Sequence, residues 1–530
     1  MSKRIQREKG EKTMNAFMNG LKNANNFTLT ENGGVTHKST RSDLLDMFAM
    51  GAAMRKRSDA DVILMFRKAF AENPVYALKC LFYIRDARGG QGERRFFRVC
   101  MKDLATNANT IQAAKRNLKF VPEFGRWDDL YIFVGTPLEK DALQIMKEQL
   151  ALDVQCKTPS LLAKWLKSEN TSSADSRYLA NKTRAYLGMS HKQYRKTLSI
   201  LRQRINVLER LMSAGKWDEI EFDKIPSRAG MIYKNAFARH DIERAKNENV
   251  QTYADFAKDT TKKVNAKVLY PYECVAEAVK AAGCSDCWGS RRSTASDETN
   301  RAMINKYWDN LADYFNGASF NGLAVVDTSA SMRGNDASAP INVAISLGMY
   351  CAEKAKGPFA GHYVSFSSRP QLISVEGTDF VDKVYRIYRT NLCENTNIEA
   401  TFDMLLSTAI ANHCTQDDLP QNIIVISDME FDAGVGSRGW GSSNRITANN
   451  AETVMEGIAR KWAAHGYTLP HMIYWNVDAR QNNIPQDLGN GRVSYVSGMS
   501  PSIFSTIMTG KTGYDLMMEK LNSERYAAIG

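Results

Sequence analysis

The sequence predicts a chain in two parts of different class, an all-α module followed by a doubly wound α/β domain built on a parallel sheet. Three observations predict it. From about Ser42 to Asn316 apolar residues recur at three- and four-residue spacing, the period of an amphipathic helix. After Gly317 short apolar runs alternate with helical patterns, as parallel strands buried on both faces require. The charge divides at the same place: 54 Lys and Arg stand against 37 Asp and Glu before Gly317, and 16 against 21 from there onward.

Taken in order, residues 1–40 are polar, and NANNFTLTENGG reads as part of a flexible lead-in. Residues 41–316 form the helical module. Runs such as DADVILMFRKAFAENPVYALKCLFYIRDA and HKQYRKTLSILRQRINVLERLMSAGKW are interrupted by ENP, ARGGQG, PEFGRWDD and KIPSRAG. Helix pairs joined by short turns make either a bundle or a solenoid, and a degenerate array of HEAT-like repeats is expected although no fixed period is visible. Residues 317–530 form the sheet domain. Its strands are expected at LAVVD, HYVSF, NIIVISD, HMIYWNV and VSYVSG, and its helices at PINVAISLGMYCAEKA, NIEATFDMLLSTAIANH, ANNAETVMEGIARKWAAH and GYDLMMEKLNSER.

Bulk properties narrow the class. No apolar run reaches the roughly 18 to 20 residues that span a bilayer, and MSKRIQREKGEK lacks the apolar core of a secretory signal. A cytoplasmic protein without a membrane is therefore expected. Nine cysteines without framework spacing fit a reducing compartment, and the one close pair, Cys284 and Cys287, lacks the second knuckle of a zinc site.

The first candidate site lies at the carboxyl ends of the strands, where ligands bind in doubly wound sheets. Asp327 ends LAVVD and Asp428 ends a later strand, so both carboxylates should emerge on one rim. Ser329 and Ser331 follow the first, and Thr396 sits just before a helix starting near Ile398. Carboxylates with hydroxyls suit a hard divalent cation, Mg²⁺ or else Mn²⁺ or Ca²⁺, whose shell water completes. The alternative is that these residues are caps and turns.

The second candidate is the basic module. Arg85, Arg88, Arg94, Arg95 and Arg98 crowd around Gly89-Gly90-Gln91-Gly92, where guanidinium groups could hold phosphates while glycines admit a backbone. Mutual pairing of Arg85, Asp86, Glu93 and Arg94 is the competing reading. Lys192, Arg195 and Lys196 belong to a second basic stretch, which is either an RNA track or a solvated helix face. Tyr194 among them could stack on a base or pack in the core.

These residues carry two resemblances. DTSAS, Thr396 and Asp428 resemble the metal-ion-dependent adhesion site of von Willebrand factor A domains, a DxSxS motif followed by a separate Thr and a separate Asp. The match departs where that family often has Gly after the last Asp, since Met429 and Glu430 stand here. FYIRDARGGQGERRFF, FGRWDDLYIF, LLAKWLKS and KIPSRAGMIYKNAFARHD resemble segments of the TROVE module of Ro-type RNA-binding proteins, nearest an uncharacterised Ro-like family of phages, plants and fungi. The resemblance spans roughly Ser42 to Ser523. It implies helical repeats closed by the A domain, with RNA held on a basic surface.

The expected function is thus an RNA-binding scaffold for structured or non-coding RNA with a divalent cation in the A domain. The alternative is a metal-dependent interaction protein, or a phage virion or assembly protein, that captures an acidic partner residue through the ion. Catalysis is not expected. Aspartyl-phosphate enzymes with a strand-end DxDx loop need a second acid where Ser329 stands, and no Ser/His/Asp or Cys/His arrangement is visible.

Overall fold

A computed structural model describes residues 26–283 and 295–530, apart from 316, 318–319, 335, 367–368, 391–394, 434–451, 487–491 and 508–509. Cys284 and Cys287 lie outside the described residues.

The chain enters through a hairpin, β1 (Phe27–Leu29) and β2 (Val35–His37), paired antiparallel. This corrects the expectation of a flexible lead-in for residues 26–40. Alternation in FTL and VTH gives two strands, and Gly33 at φ 84° supplies the left-handed residue that a tight turn needs.

Helices then follow one another to Asp309. Those used below are α1 (Asp43–Met50), α2 (Pro74–Arg85), α3 (Arg95–Thr106), α4 (His191–Arg204), α5 (Pro271–Ala281) and α6 (Ala295–Asp309). Their boundaries follow local chemistry. Asn73 caps α2 by accepting from the Tyr76 N–H, and Pro74 occupies the first turn, where its missing donor costs nothing. Ser190 and Gln193 form a capping box at α4. The long periodic run after His191 breaks at Asn206, whose φ is 47°, so it gives two helices rather than one. Lengths range from four residues, Val121–Phe124, to 17, Glu139–Gln155, an uneven series.

The second half holds a six-stranded sheet of order β5-β4-β3-β6-β7-β8: β3 (Gly322–Asp327), β4 (His362–Phe366), β5 (Gln371–Ser374), β6 (Asn422–Ser427), β7 (His471–Asn476) and β8 (Val493–Ser497). All neighbours are parallel except β4 and β5. Strands β3, β7 and β8 are buried along their whole length; LAVV and MIYW are the continuous apolar runs such burial favours, whereas β8 buries Ser494 and Ser497, whose hydroxyls donate to the Lys511 carbonyl at 2.6 Å and the Phe48 carbonyl at 2.9 Å. Helices α7 (Pro340–Lys354), α8 (Phe380–Tyr388), α9 (Ile398–Ala411), α10 (Val454–Ala464) and α11 (Gly513–Leu521) accompany it. The sequence pattern misses β5 and α8, which are short and half exposed or strongly two-faced. Chain order reverses between β3 and β6, so the crevice of the sheet opens beside Asp327 and Asp428.

Both ends of the helical module rest on the sheet domain. At one end α1 packs on β8, where Ser497 Oγ donates to the Phe48 carbonyl at 2.9 Å. At the other, α5 and α6 pack on α7 and α8, with Trp308 stacked on Phe380 at 4.1 Å and Arg301 bidentate to Asp379. Among the described residues no helix is long and apolar enough to cross a membrane.

Asp46 of α1 is buried and accepts from the Thr40 N–H and hydroxyl, each at 2.7 Å. Burial outweighs these bonds and pushes its carboxyl up to about 6. The folded state therefore keeps a proton that the unfolded chain releases near pH 4, and this contribution to stability falls as pH rises from about 4 to about 6. Denaturant unfolding of the Asp46→Asn variant should lose this decline, a difference of about 2 kcal/mol between pH 4 and 7. Parallel pH profiles for the two proteins would contradict it.

Candidate metal centre and basic surface

Asp327 ends β3 with its carboxylate fully buried. One oxygen accepts from Ser427 Oγ on the adjacent strand at 2.6 Å, the other from the Ser329 N–H at 2.9 Å. Asp428, the residue after β6, accepts from Ser331 Oγ at 2.8 Å, and Ser331 Oγ lies 3.0 Å from Ser329 Oγ. Four of the five predicted ligands thus form one hydrogen-bonded chain. Thr396 joins it indirectly: Asn32 Nδ2 donates both to Thr396 Oγ1 at 3.0 Å and to the Glu430 carbonyl at 2.6 Å.

Asn32 belongs to the turn of the β1–β2 hairpin, which lies across this rim. Glu31 N–H donates to Glu430 Oε2 at 2.7 Å, and Thr30 Oγ1 donates to the Phe431 carbonyl at 2.6 Å. Gly34 is required by the close approach, since a Cβ there would fall 2.5 Å from the Phe431 oxygen. Arg480 completes the cover, with its guanidinium 2.6 Å from Glu31 and 2.7 Å from Asp428. Sequence reasoning missed Glu31, Asn32, Ser427 and Arg480. Only the hairpin had a signal, the Asn-Gly pair between alternating residues.

The electrostatics follow from burial. Asp327 is pushed up to about 7 by desolvation and then by the neighbouring Asp428. Asp428 is also raised, burial outweighing the Arg480 guanidinium. Glu430 is buried, rises to about 7 from desolvation, and leaves its Oε1 without a partner. Arg480 serves Asp428 and Glu31, and no cationic side chain among the described residues bonds to Asp327. An all-oxygen donor set that burial leaves short of positive charge fits a hard divalent cation. Among the described residues no three His, Cys, Asp or Glu side chains converge as ligands, so two carboxylates, hydroxyls and water would have to suffice.

The predicted RNA-binding arginines separate into groups. Arg85 is buried and donates through Nε and Nη2 to one oxygen of Asp129, at 2.9 and 2.6 Å, which corrects its assignment to phosphate: a guanidinium withdrawn from solvent and already paired is not available. Arg98 also pairs with Asp129, at 2.6 Å, but remains partly exposed. Arg95 pairs with Asp59, and exposed Arg88 donates to the Glu123 carbonyl at 2.6 Å. Arg94 has no ion pair among the described residues, and its Nε is buried without a partner. On α4, Lys192, Arg195 and Lys196 are exposed. Tyr194 is a core residue, its hydroxyl donating to the Lys167 carbonyl at 2.8 Å, and it presents no free ring for stacking.

Residues 30–174 and 148–318 match the family described as a domain of unknown function, DUF2828, and the chain belongs to that family. Residues 321–527 match a second domain of unknown function, DUF7788. The chain is 28% identical over 521 residues to an uncharacterised protein of Acanthamoeba polyphaga mimivirus, covering 92% of this chain and 85% of that protein. Among solved structures, the Ro (RSR) protein of Deinococcus radiodurans is similar with a TM-score of 0.39 and 14% identity, over 91% of this chain and 93% of the other.

Met429, where glycine is frequent in the family the motif resembles, sits at φ 64° with its side chain buried. That conformation costs an L-residue about 1–2 kcal/mol, and it is fixed here by the Met429 N–H donating to Ser427 Oγ at 2.9 Å. Thermal unfolding should rank Met429→Gly above Met429→Ala by about 1 kcal/mol. The reverse order would mean that the left-handed turn is not retained.

Proposed function

We propose that this chain is an RNA-binding scaffold of Ro type, with a von Willebrand factor A-type sheet domain that holds Mg²⁺ or a similar divalent cation. What carries the RNA reading is the set of exposed, unpaired cations on α4. Lys192, Arg195 and Lys196 make no ion pair or hydrogen bond through their side chains among the described residues, and they project from the half of the chain with the excess of basic residues. Unpaired surface cations attract a phosphate backbone and release its counterions.

In the sheet domain Asp327, Ser329, Ser331, Thr396 and Asp428 would hold the cation, directly or through water. The ion would supply the positive charge that the buried carboxylates lack and could accept an acidic oxygen. A second reading, capture of an acidic residue of a partner protein, is favoured by one observation: Glu31 already brings a carboxylate from another segment to Arg480 at the rim.

Two measurements test these roles. For single-stranded RNA the slope of log affinity against log salt should shrink by about 2 when Lys192, Arg195 and Lys196 are all changed to Gln, since each phosphate contact contributes about 0.7. An unchanged slope removes α4 from the interface. Dialysis against a chelator should lower the melting temperature and Mg²⁺ restore it, and Asp327→Asn should abolish the response. A wild-type protein indifferent to both treatments has no cation at the rim.

A further inference from the structure

A cavity of about 470 Å³ opens where the arginine-rich loop of the helical module meets the sheet domain. Its walls include Arg94, Arg98, Arg228, Tyr270 and Tyr272 from the module and Ser338 from the loop after Asp327. Its volume is within the range of small-ligand pockets. The charges are unequally satisfied. Arg98 pairs with Asp129, Arg228 with Glu273 at 2.8 Å, and Arg55, also in the wall, with Glu93 at 2.9 Å. Glu93 is the one acidic residue in the wall, and its other oxygen accepts the Arg95 N–H at the start of α3 at 2.7 Å. The helix N-terminus is therefore already served, and the unanswered charge is Arg94.

We propose that this cavity binds the phosphate group of a nucleotide, with Arg94 as the principal anion ligand, Arg98 and Arg228 beside it, and the half-buried Tyr270 ring, backed by buried Tyr272, as the wall for the attached nucleoside. A planar guanidinium with its donors uncommitted matches a phosphate in bidentate fashion. The two tyrosine rings are stacked on each other, 5.9 Å apart, and Arg228 lies over Tyr270 at 5.8 Å, so an aromatic surface adjoins the cationic one. Base-aromatic stacking tolerates any base. The environment of Arg94 agrees with this. Burial, then the guanidinium groups of Arg126, Arg98 and Arg85, lower it to about 10, a crowding that a bound anion would relieve.

The proposal deepens the RNA reading if the phosphate is the end of an RNA strand, yet the pocket could equally take a free nucleotide. Calorimetric titration of the full chain with AMP and with an oligoribonucleotide bearing either a 5′-phosphate or a 5′-hydroxyl separates the cases. AMP should bind, and Arg94→Gln should weaken it by at least about tenfold, the loss of a charge-assisted pair. The triple α4 variant should leave AMP binding unchanged. A preference of the wild type for the 5′-phosphorylated strand assigns the pocket to RNA ends, and AMP binding without that preference assigns it to free nucleotides. AMP binding that depends on Arg94 in a protein that binds neither strand upholds the pocket and sinks the scaffold. Equal affinity of Arg94→Gln and wild type for AMP, or RNA binding with no AMP binding, overturns the pocket. If Arg94→Gln does not fold, protection of Arg94 in the wild type from phenylglyoxal by AMP, mapped by mass spectrometry, replaces it; no protection overturns the proposal.

Discussion

The structure depends on one buried carboxylate, Asp86, at the loop that ends α2. It is wholly buried and accepts from the Arg525 guanidinium on both oxygens, from the Tyr526 hydroxyl at 3.0 Å, and from the Arg88 N–H at 3.0 Å. A carboxylate in this position is tolerated only because it is fully paired, and removing a partner would leave an uncompensated charge. Its side-chain partners, Arg525 and Tyr526, come from the last six residues of the chain. The terminal segment continues to Gly530, whose N–H donates to Asn117 Oδ1 at 3.1 Å. The end of the sheet domain is thereby fastened to an early part of the helical module.

The rest of the Gly-Gly-Gln-Gly loop serves the same junction. Gln91 is buried, donates to the Tyr83 hydroxyl at 2.8 Å, and accepts the Ser500 N–H at 3.2 Å, while Ser502 Oγ donates to the Gly90 carbonyl at 3.0 Å. A Cβ on Gly90 would meet the Tyr83 oxygen at 2.0 Å. This explains the glycine at 90: the loop folds back onto the end of α2, leaving no room for a Cβ, a need equally well described as room for a phosphate when only the sequence is read. The same closure brings Arg94 and Tyr270 opposite Ser338, so the anion cavity is a product of the junction rather than of either part.

Where chemistry is local, the sequence was legible. Five of the six strands in the sheet form where apolar runs stand, and Asp327, Ser329, Ser331 and Asp428 share a rim because strand ends and short loops dictate it. Partners distant in sequence could not be read. Arg85 finds Asp129 44 residues on, and Arg480 reaches Asp428 52 residues back, pairings set by tertiary packing. The hairpin at residues 27–37 carried only its Asn32-Gly33 turn as a signal, since its strands have three residues each and gain stability from the rim they cover.

The two candidate sites have opposite needs and lie along one loop. At its start Ser329 and Ser331 stand beside buried carboxylates short of positive charge, and Ser338, seven residues beyond Ser331, lines a cavity whose Arg94 is short of negative charge. A cation suits the first and an anion the second, so neither ligand competes for the other's place. Burial produces both deficits: it raises Asp327 to about 7 and lowers Arg94 to about 10, because in each case water has been removed without a full complement of protein counter-charges. Groups left so are costly to keep, and an ion of opposite charge would offset that cost. The interior pairs Arg85–Asp129 and Asp86–Arg525 show that this fold can satisfy buried charges with its own side chains. That it does not do so at Asp327 and Arg94 is the physical reason for reading both as places for a ligand.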